Sequence, residues 1–165
     1  MPLFIHPQTP APSVRAAQYA GIGERADLAL AAFGLGWHYE AGLEWIRLAA
    51  AGVFDALQEL QIILGHWGEV VLFYLERTSA VMDRALDLDR SLIEYARCNL
   101  YVTGSGMWSA TYLQQCLDIV GPERRCSRPT SHISIARVVN RDVFWKHWLA
   151  MRRRAVGSHS QTGNA

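Results

Sequence analysis

The chain alternates short apolar runs with longer stretches in which apolar residues recur every three to four positions. The runs at residues 3–5, 61–64 and 100–103 are typical of buried strands, which are short and rich in apolar side chains. A helical stretch follows each run. Strand then helix, repeated three times, is the order of βαβ units, so the sequence predicts an α/β fold with a parallel sheet.

The longest predicted helix covers residues 38–57. Its apolar residues recur at helical spacing and so fall on one face: Leu43, Ile46, Ala50, Val53, Phe54 and Leu57. An apolar face of this kind is expected to pack on the sheet.

Three further helices have recognisable starts. Glu69 is expected to open one, where its charge suits the positive end of the helix dipole. Ser91 is a predicted N-cap with Glu94 at the capping-box position, for a helix reaching Arg97. Ser109 caps a helix that should end at about residue 120, before Gly-Pro.

Polar side chains follow each predicted strand at the point where that strand ends. His6 follows the first strand, His66 and Glu69 follow the second, and Thr-Gly-Ser at 103–105 follows the third. In parallel α/β proteins these ends form the rim where enzymes place the groups that touch substrate. We therefore interpret the rim as a candidate active site.

His66 carries the strongest signal because it lies between Gly65 and Gly68 at a strand-to-helix turn. A core histidine would need a buried partner for each nitrogen, whereas this position has an outward path. Glu69 has two equally weighted interpretations. It is either a surface acid favoured by the helix dipole or a group that orients His66 or shares a proton with it.

The other candidates are weaker. His6 alone would be a loop histidine beside a proline, and His38 and Glu40, at the start of a helix, are expected to be solvated. The tryptophan rings either line a pocket or fill the core: Trp37, Trp67 and Trp108.

Composition limits the class of protein. The chain has 165 residues, half of them apolar, which suits one globular domain. It has neither a signal-peptide pattern nor an apolar stretch of about twenty residues, so we expect a cytoplasmic protein without a membrane segment. The cysteines lack CxxC spacing and are expected to be free and mostly buried: Cys98, Cys116 and Cys126.

Charge divides the chain near residue 125. Residues 1–125 contain nine arginines and no lysine against 14 acidic residues, whereas residues 126–165 contain seven basic residues against one aspartate. A shift of this size marks a boundary, so we expect one domain at 1–125 and a basic, disordered or non-native tail at 126–165. A nucleic-acid partner is not expected, because no folded recognition module accompanies the tail.

Three segments together carry a family resemblance. They are Pro-Leu-Phe-Ile-His-Pro at 2–7, the run 54–64 leading into Gly-His-Trp-Gly-Glu at 65–69, and Asn-Leu-Tyr-Val-Thr-Gly-Ser-Gly-Met at 99–107. In order and spacing, residues 2–124 resemble the amidohydrolase-related family. The most similar members are the metal-dependent decarboxylases of hydroxybenzoate-type acids, the γ-resorcylate and aminocarboxymuconate semialdehyde decarboxylase group.

The resemblance implies a distorted (β/α)₈ TIM barrel, of which this chain would hold a part, incomplete at both ends. It also implies one divalent metal, zinc or manganese, that binds the carboxylate of a small aromatic acid. His6 matches the family's mid-barrel metal ligand, and His66 matches the histidine that works with Glu69 in proton transfer. Imidazole suits either metal, and a histidine beside a carboxylate suits proton delivery.

The sequence departs from the family at two places. The first strand it shares with the family is the one that bears His6, so we expect the strands that carry the family's first ligands to be missing from these 165 residues. Near residue 126 the family continues into a strand that ends in a metal-ligand aspartate, typically Phe-Ser-Thr-Asp-Phe-Pro-Tyr. This chain has Cys-Ser-Arg-Pro-Thr-Ser-His at 126–132, without an aspartate.

The genetic code offers an explanation for the second departure. Residues 126–133 can be encoded by the codons TGT TCT CGA CCG ACT TCC CAT ATN, and the same bases read two positions later would encode Phe-Ser-Thr-Asp-Phe-Pro-Tyr. We therefore hypothesise a frame change close to Arg125, with out-of-frame translation from there to residue 165. Genomic sequence that lacks the aspartate motif in the alternative frame would contradict this hypothesis.

The function expected from the resemblance is non-oxidative decarboxylation of a hydroxybenzoate-like acid. Two alternatives stay open: an amidohydrolase-type hydrolase, and a non-catalytic remnant or fragment that depends on a partner. Without the acidic ligands, metal binding should be weak and turnover negligible. Exposed strand edges should favour self-association.

Overall fold

Three short parallel strands form one sheet. The computed structural model describes residues 2–104, 107 and 109–121. The strands are β1 (Leu3–Ile5), β2 (Ile62–Leu64) and β3 (Leu100–Val102), and they lie in the order β1-β2-β3. Leu3, Ile62 and Leu100 are paired in register at their amino ends. The predicted α/β class with a parallel sheet is confirmed.

Helices connect the strands. Between β1 and β2 lie α1 (Pro12–Gln18), α2 (Glu24–Ala29), a π-helical segment (Leu30–Gly34), α3 (Gly36–Ala50) and α4 (Val53–Ala56). Between β2 and β3 lie α5 (Val71–Met82) and α6 (Leu92–Asn99), and α7 (Ala110–Val120) follows β3. Strands that alternate with helices in this way are the repeating unit of a (β/α)₈ barrel, which is the fold that the family resemblance implies.

Two predicted helix boundaries are wrong. The helix predicted at 38–57 is divided, because Gly52 adopts a left-handed φ of 72° between α3 and α4. The helix expected to open at Glu69 begins instead at Val71, after a turn. Left-handed backbone cannot continue a right-handed helix, which explains both differences.

The predicted caps are confirmed. The Ser91 side chain accepts a hydrogen bond from the Glu94 backbone, and the Glu94 side chain accepts one from the Ser91 backbone, so the capping box is complete. The Ser109 hydroxyl accepts from the Tyr112 backbone at the start of α7. Both caps supply acceptors for N–H groups that have no partner inside the helix.

The core lies between the sheet and helices α3 to α7. Its largest fully buried side chains include Trp45, Phe54 and Tyr95, with Ile62 and Leu64 contributed by β2. By contrast, Leu3 and Phe4 on β1 are 51% and 50% exposed, although both are apolar. The central strand is therefore covered, while β1 keeps an exposed apolar surface.

Several sequence predictions fall outside the described residues. These are Ser105, Gly106, Trp108, Pro122, Cys126, the tail 126–165 and the proposed frame change near Arg125. Within the described part of the chain, no helix is long and apolar enough to cross a membrane.

Candidate functional site

The turn from β2 to α5 has a left-handed backbone. His66, Trp67, Gly68 and Glu69 have φ values of 46°, 59°, 84° and 56°. Three of these residues are not glycine, and each costs roughly 1–2 kcal/mol in this conformation. Such strain persists only where the surroundings hold it, and it concentrates at functional sites.

Hydrogen bonds and close packing hold this turn. The Trp67 backbone N–H donates to the Thr103 carbonyl at 2.8 Å, and those of Gly68 and Glu69 donate to the Gly65 carbonyl at 2.7 and 3.1 Å. The Trp67 indole N–H donates to the Met107 carbonyl at 2.7 Å. Its ring lies so close to Gly104 that a Cβ there would be 3.0 Å from Cζ2. Trp67 is therefore an anchor between the ends of β2 and β3.

Glu69 is the centre of the site. Its side chain is fully buried, with Oε1 at 2.9 Å from His66 Nδ1 and Oε2 at 2.6 Å from His38 Nδ1. The interpretation of Glu69 as a surface acid in the first turn of a helix is therefore wrong. The turn conformation directs the carboxylate inward, where two imidazoles supply its hydrogen bonds.

His38 was expected to be solvated, and this prediction is wrong. Its side chain is only 14% exposed. Besides contacting Glu69, it accepts a hydrogen bond at Nε2 from the Trp37 indole N–H at 2.9 Å. The His38 and His66 rings lie edge to face, with centroids 4.4 Å apart. No local pattern in the sequence indicates this role for His38, because its partner Glu69 lies in a different βα segment.

A close approach of α3 to the turn brings His38 within reach. A Cβ at Gly42 would lie 3.1 Å from Val70 Cγ2 and 3.2 Å from Val71 Cγ2. His38 is in the first turn of α3, directly after the π-helical segment. Glycine at position 42 therefore permits the close packing of α3 on the turn that carries Glu69.

A pocket of about 230 Å³ opens beside this cluster. The cluster contributes His38, His66 and Glu69 to its lining, and apolar or amphipathic side chains complete it, among them Leu35, Phe73, Tyr74 and Met107. Apolar walls with a few convergent polar groups are typical of sites for small molecules.

His6 lies at the carboxyl end of β1, as predicted, and is exposed. Its Nδ1 is 2.9 Å from the Pro7 carbonyl oxygen. A carbonyl only accepts, so Nδ1 carries the proton and Nε2 keeps its lone pair. This is the usual state of a metal-binding histidine, whose second nitrogen donates to a backbone or carboxylate oxygen. His6 therefore fits the ligand role implied for it, and that role stays a prediction.

The ligand atoms of His38, His66 and Glu69 all lie within 4.8 Å of one another, which is close enough to hold a metal ion. The hydrogen bonds oppose that use for His38. Its Nε2 accepts from Trp37, so metal binding at Nδ1 would require a doubly deprotonated ring. Among the described residues, His6 is not part of this cluster.

Comparison with known proteins identifies relatives with a defined chemistry. No protein-family model matches the chain. It is 34% identical over 127 residues to the decarboxylase OrsB of Emericella nidulans, covering 75% of this chain and 38% of that protein. It is 31% identical over 131 residues to the gamma-resorcylate decarboxylase of Rhodococcus jostii, covering 75% and 37%.

A solved structure shares the fold. The 5-carboxyvanillate decarboxylase LigW2 of Novosphingobium aromaticivorans, with bound manganese and 3-methoxy-4-hydroxy-5-nitrobenzoic acid, matches with a TM-score of 0.65 and 27% identity. The match covers 74% of this chain and 36% of that one. The chain thus spans between a third and two fifths of the length of these relatives.

Proposed function

The chain belongs to the amidohydrolase-related decarboxylases, and on this premise we propose that it serves the metal-dependent, non-oxidative decarboxylation of a small hydroxybenzoate-like acid. The observation that carries the proposal is the His66–Glu69 pair. Glu69 is buried and faces Nδ1 of His66 at 2.9 Å, so Nε2 is the nitrogen left for chemistry at the carboxyl edge of the sheet.

In the proposed reaction, His66 delivers a proton from Nε2 to the ring carbon that bears the carboxylate. The bond between that carbon and the carboxylate then breaks, its electron pair returns to the ring, and CO₂ leaves. Hydrogen replaces the carboxylate, so no oxidant or reductant is needed. Glu69 stabilises the protonated imidazole and fixes the nitrogen from which the proton departs.

A divalent metal, zinc or manganese, would bind the substrate's carboxylate and neighbouring oxygen when present. His6 is the residue of this chain that we propose as its ligand, through Nε2. Its exposure at the end of β1 and the Nδ1 hydrogen bond to Pro7 support this assignment. The relatives support manganese in particular, because LigW2 contains it.

We further propose that the 165-residue chain by itself binds metal weakly and turns over slowly. By resemblance an acidic ligand is expected after residue 125, and residues 126–132 contain no aspartate. Structural zinc sites with complete ligand sets gain roughly 10 kcal/mol or more of apparent binding free energy. A site without its carboxylate ligand should fall well below that.

The test uses the full chain with Mn²⁺ and 2,6-dihydroxybenzoate. Bound metal is measured by elemental analysis, and ¹³CO₂ release from the labelled acid by mass spectrometry. Because slow turnover is expected, exchange of ring hydrogen for deuterium in the product resorcinol provides a more sensitive measure. Metal-dependent CO₂ release or exchange that His66→Asn abolishes supports the proposal. A Tyr39→Phe variant, altered at an exposed ring on α3, should behave as wild type.

Other outcomes identify the alternatives. Hydrolysis of amide or ester substrates without CO₂ release would replace decarboxylation by an amidohydrolase-type reaction. A chain that binds no metal and catalyses neither reaction would be a non-catalytic or partner-dependent form.

A further inference from the structure

Four side chains form a continuous hydrogen-bonded series from the first turn of α3 to the turn after β2. Trp37 Nε1 is 2.9 Å from His38 Nε2, His38 Nδ1 is 2.6 Å from Glu69 Oε2, and Glu69 Oε1 is 2.9 Å from His66 Nδ1. Only the contact between His38 and Glu69 joins residues that are distant in sequence.

The indole group fixes the tautomer of His38. An indole N–H can only donate, so His38 Nε2 has to accept and carries no proton. A neutral imidazole then has its proton on Nδ1, which faces Glu69 Oε2. Trp37 thereby ensures that His38 presents a donor to the carboxylate and stays uncharged while Trp37 is bonded to it.

The two oxygens of Glu69 therefore have different partners. Oε2 accepts from the fixed Nδ1–H of His38, which leaves Oε1 for Nδ1 of His66. A carboxylate held at both oxygens is restrained against rotation, and the Glu69 side chain is 0% exposed. The contact of 2.6 Å is slightly shorter than the roughly 2.7–2.9 Å of charge-assisted N–H···O bonds, and an ionised acceptor favours so close an approach.

We propose that His38 is a positioning residue for proton transfer. With its tautomer fixed by Trp37, His38 holds the carboxylate of Glu69 in place. The carboxylate then keeps the proton of His66 on Nδ1, which leaves Nε2 of His66 to exchange protons with substrate. The effect of His38 on catalysis rests on the proposed function, whereas the tautomers of His38 and His66 can be measured without any turnover. His38 itself does not touch the reacting atoms.

The variants separate this role from a merely structural one. His38→Asn places an amide donor near the position of Nδ1, whereas His38→Leu fills the space without a donor. Trp37→Phe keeps an aromatic ring but removes the indole donor, so that His38 can adopt either tautomer. Tyr39→Phe, on the same helical turn, is the matched control.

The first measurement is the nitrogen-15 spectrum of the imidazole side chains in the full chain. We expect His38 to have an unprotonated Nε2 and a protonated Nδ1, and Trp37→Phe to shift part of its population to the other tautomer. In His38→Leu, the Nδ1-protonated population of His66 should fall, and His38→Asn should restore it. A protonated His38 Nε2 in the wild-type chain, or an unchanged His66 in His38→Leu, would overturn the inference.

The second measurement is the metal-dependent exchange of deuterium into the product ring. We expect His38→Leu to lower kcat about 10- to 100-fold, by analogy with the loss of hydrogen-bond partners that orient metal-binding side chains. KM should change little, and His38→Asn should partly restore the rate. Active wild type with an equally active His38→Leu variant would overturn the positioning role. Failure of the wild type to exchange counts against the proposed function, and the nitrogen-15 spectra then decide this inference alone.

Discussion

His38 and Glu69 are 31 positions apart in the chain, and their side chains meet at 2.6 Å between Nδ1 and Oε2. Glu69 also accepts from its neighbour His66, so one buried carboxylate joins α3 to the turn that follows β2. The stability of the fold and the geometry of the site therefore depend on the same group.

We expect Glu69→Gln to destabilise the chain by about 1–3 kcal/mol, because the amide nitrogen of glutamine donates and cannot accept from an imidazole N–H. Urea unfolding measures the change. Glu76→Gln makes the same substitution at an exposed position of α5 and should stay within about 0.5 kcal/mol of wild type. Equal effects at the two positions would contradict the buried role of Glu69.

Gly68→Ala should lower the free energy of unfolding by about 1–3 kcal/mol through overpacking, in addition to the cost of a left-handed alanine. Its Cβ would lie 2.9 Å from Leu72 Cγ and 3.1 Å from Val102 Cγ1, at a φ of 84°.

Gly21→Ala is the matched control, since Gly21 also has a positive φ, 112°, but nothing lies within 4 Å of its Cβ position. Gly21→Ala should lower the free energy of unfolding only by the cost of placing alanine in a left-handed backbone conformation. A Gly21→Ala variant as unstable as Gly68→Ala, measured by the same urea unfolding, would show that packing against the turn contributes little.

Asn99 is fully buried, and its amide nitrogen donates to the carbonyls of Gln58 and Leu60 at 3.0 and 2.7 Å. Asn99→Leu should cost about 1–3 kcal/mol of stability, because both carbonyls lose the donor that the buried amide supplies. Thermal unfolding is the measurement. Gln114→Leu, which removes an exposed amide contact to Asp118, should change stability by less than about 0.5 kcal/mol.

Burial, together with a 2.5 Å hydrogen bond to Asp55, raises the pKa of Tyr95 to about 12. The folded state then binds the tyrosine proton more strongly than the unfolded state, whose tyrosine pKa is about 10. Stability from this group is complete below pH 10 and is lost as the pH rises toward 12.

Ultraviolet titration should show one tyrosine that ionises at a higher pH than the others, and this last ionisation should be absent in Tyr95→Phe. Stability measured from pH 9 to pH 11 should fall less steeply in Tyr95→Phe than in wild type. The same slope in both proteins would contradict the assignment.

Burial raises the pKa of the Cys116 thiol to about 12, so this thiol should not react with iodoacetamide in the folded chain at neutral pH. Cys98 is only partly buried and should react first. Peptide mapping after brief labelling distinguishes them, and modification of Cys116 before Cys98 would contradict the buried position. Labelling in urea should make both react.

Parts of this structure follow from local sequence. The apolar runs at 3–5, 61–64 and 100–103 place the strands to within a residue or so, because buried parallel strands need continuous apolar side chains. Ser91 with Glu94, and Ser109, mark helix starts because a cap acts over three residues of chain. The exact helix ends at Gly52 and Val71 were missed, since they depend on left-handed backbone that the pattern does not reveal.

The candidate site likewise contains residues that the sequence predicts and residues that it does not. Sequence alone identified His66 and Glu69 as candidates, because both stand in one turn and their spacing of three residues is visible in the chain. It placed His6 at the same edge of the sheet, because parallel strands end on one side.

Only the tertiary structure decided the roles of His38 and Trp37. The contact of His38 with Glu69 depends on how closely α3 approaches the turn at Gly42, and on a strained backbone that directs the carboxylate inward. Trp37 acts through its hydrogen bond to His38. Sequence fixes contacts between residues close in the chain through local geometry, whereas a contact across 31 positions depends on the packing of whole elements.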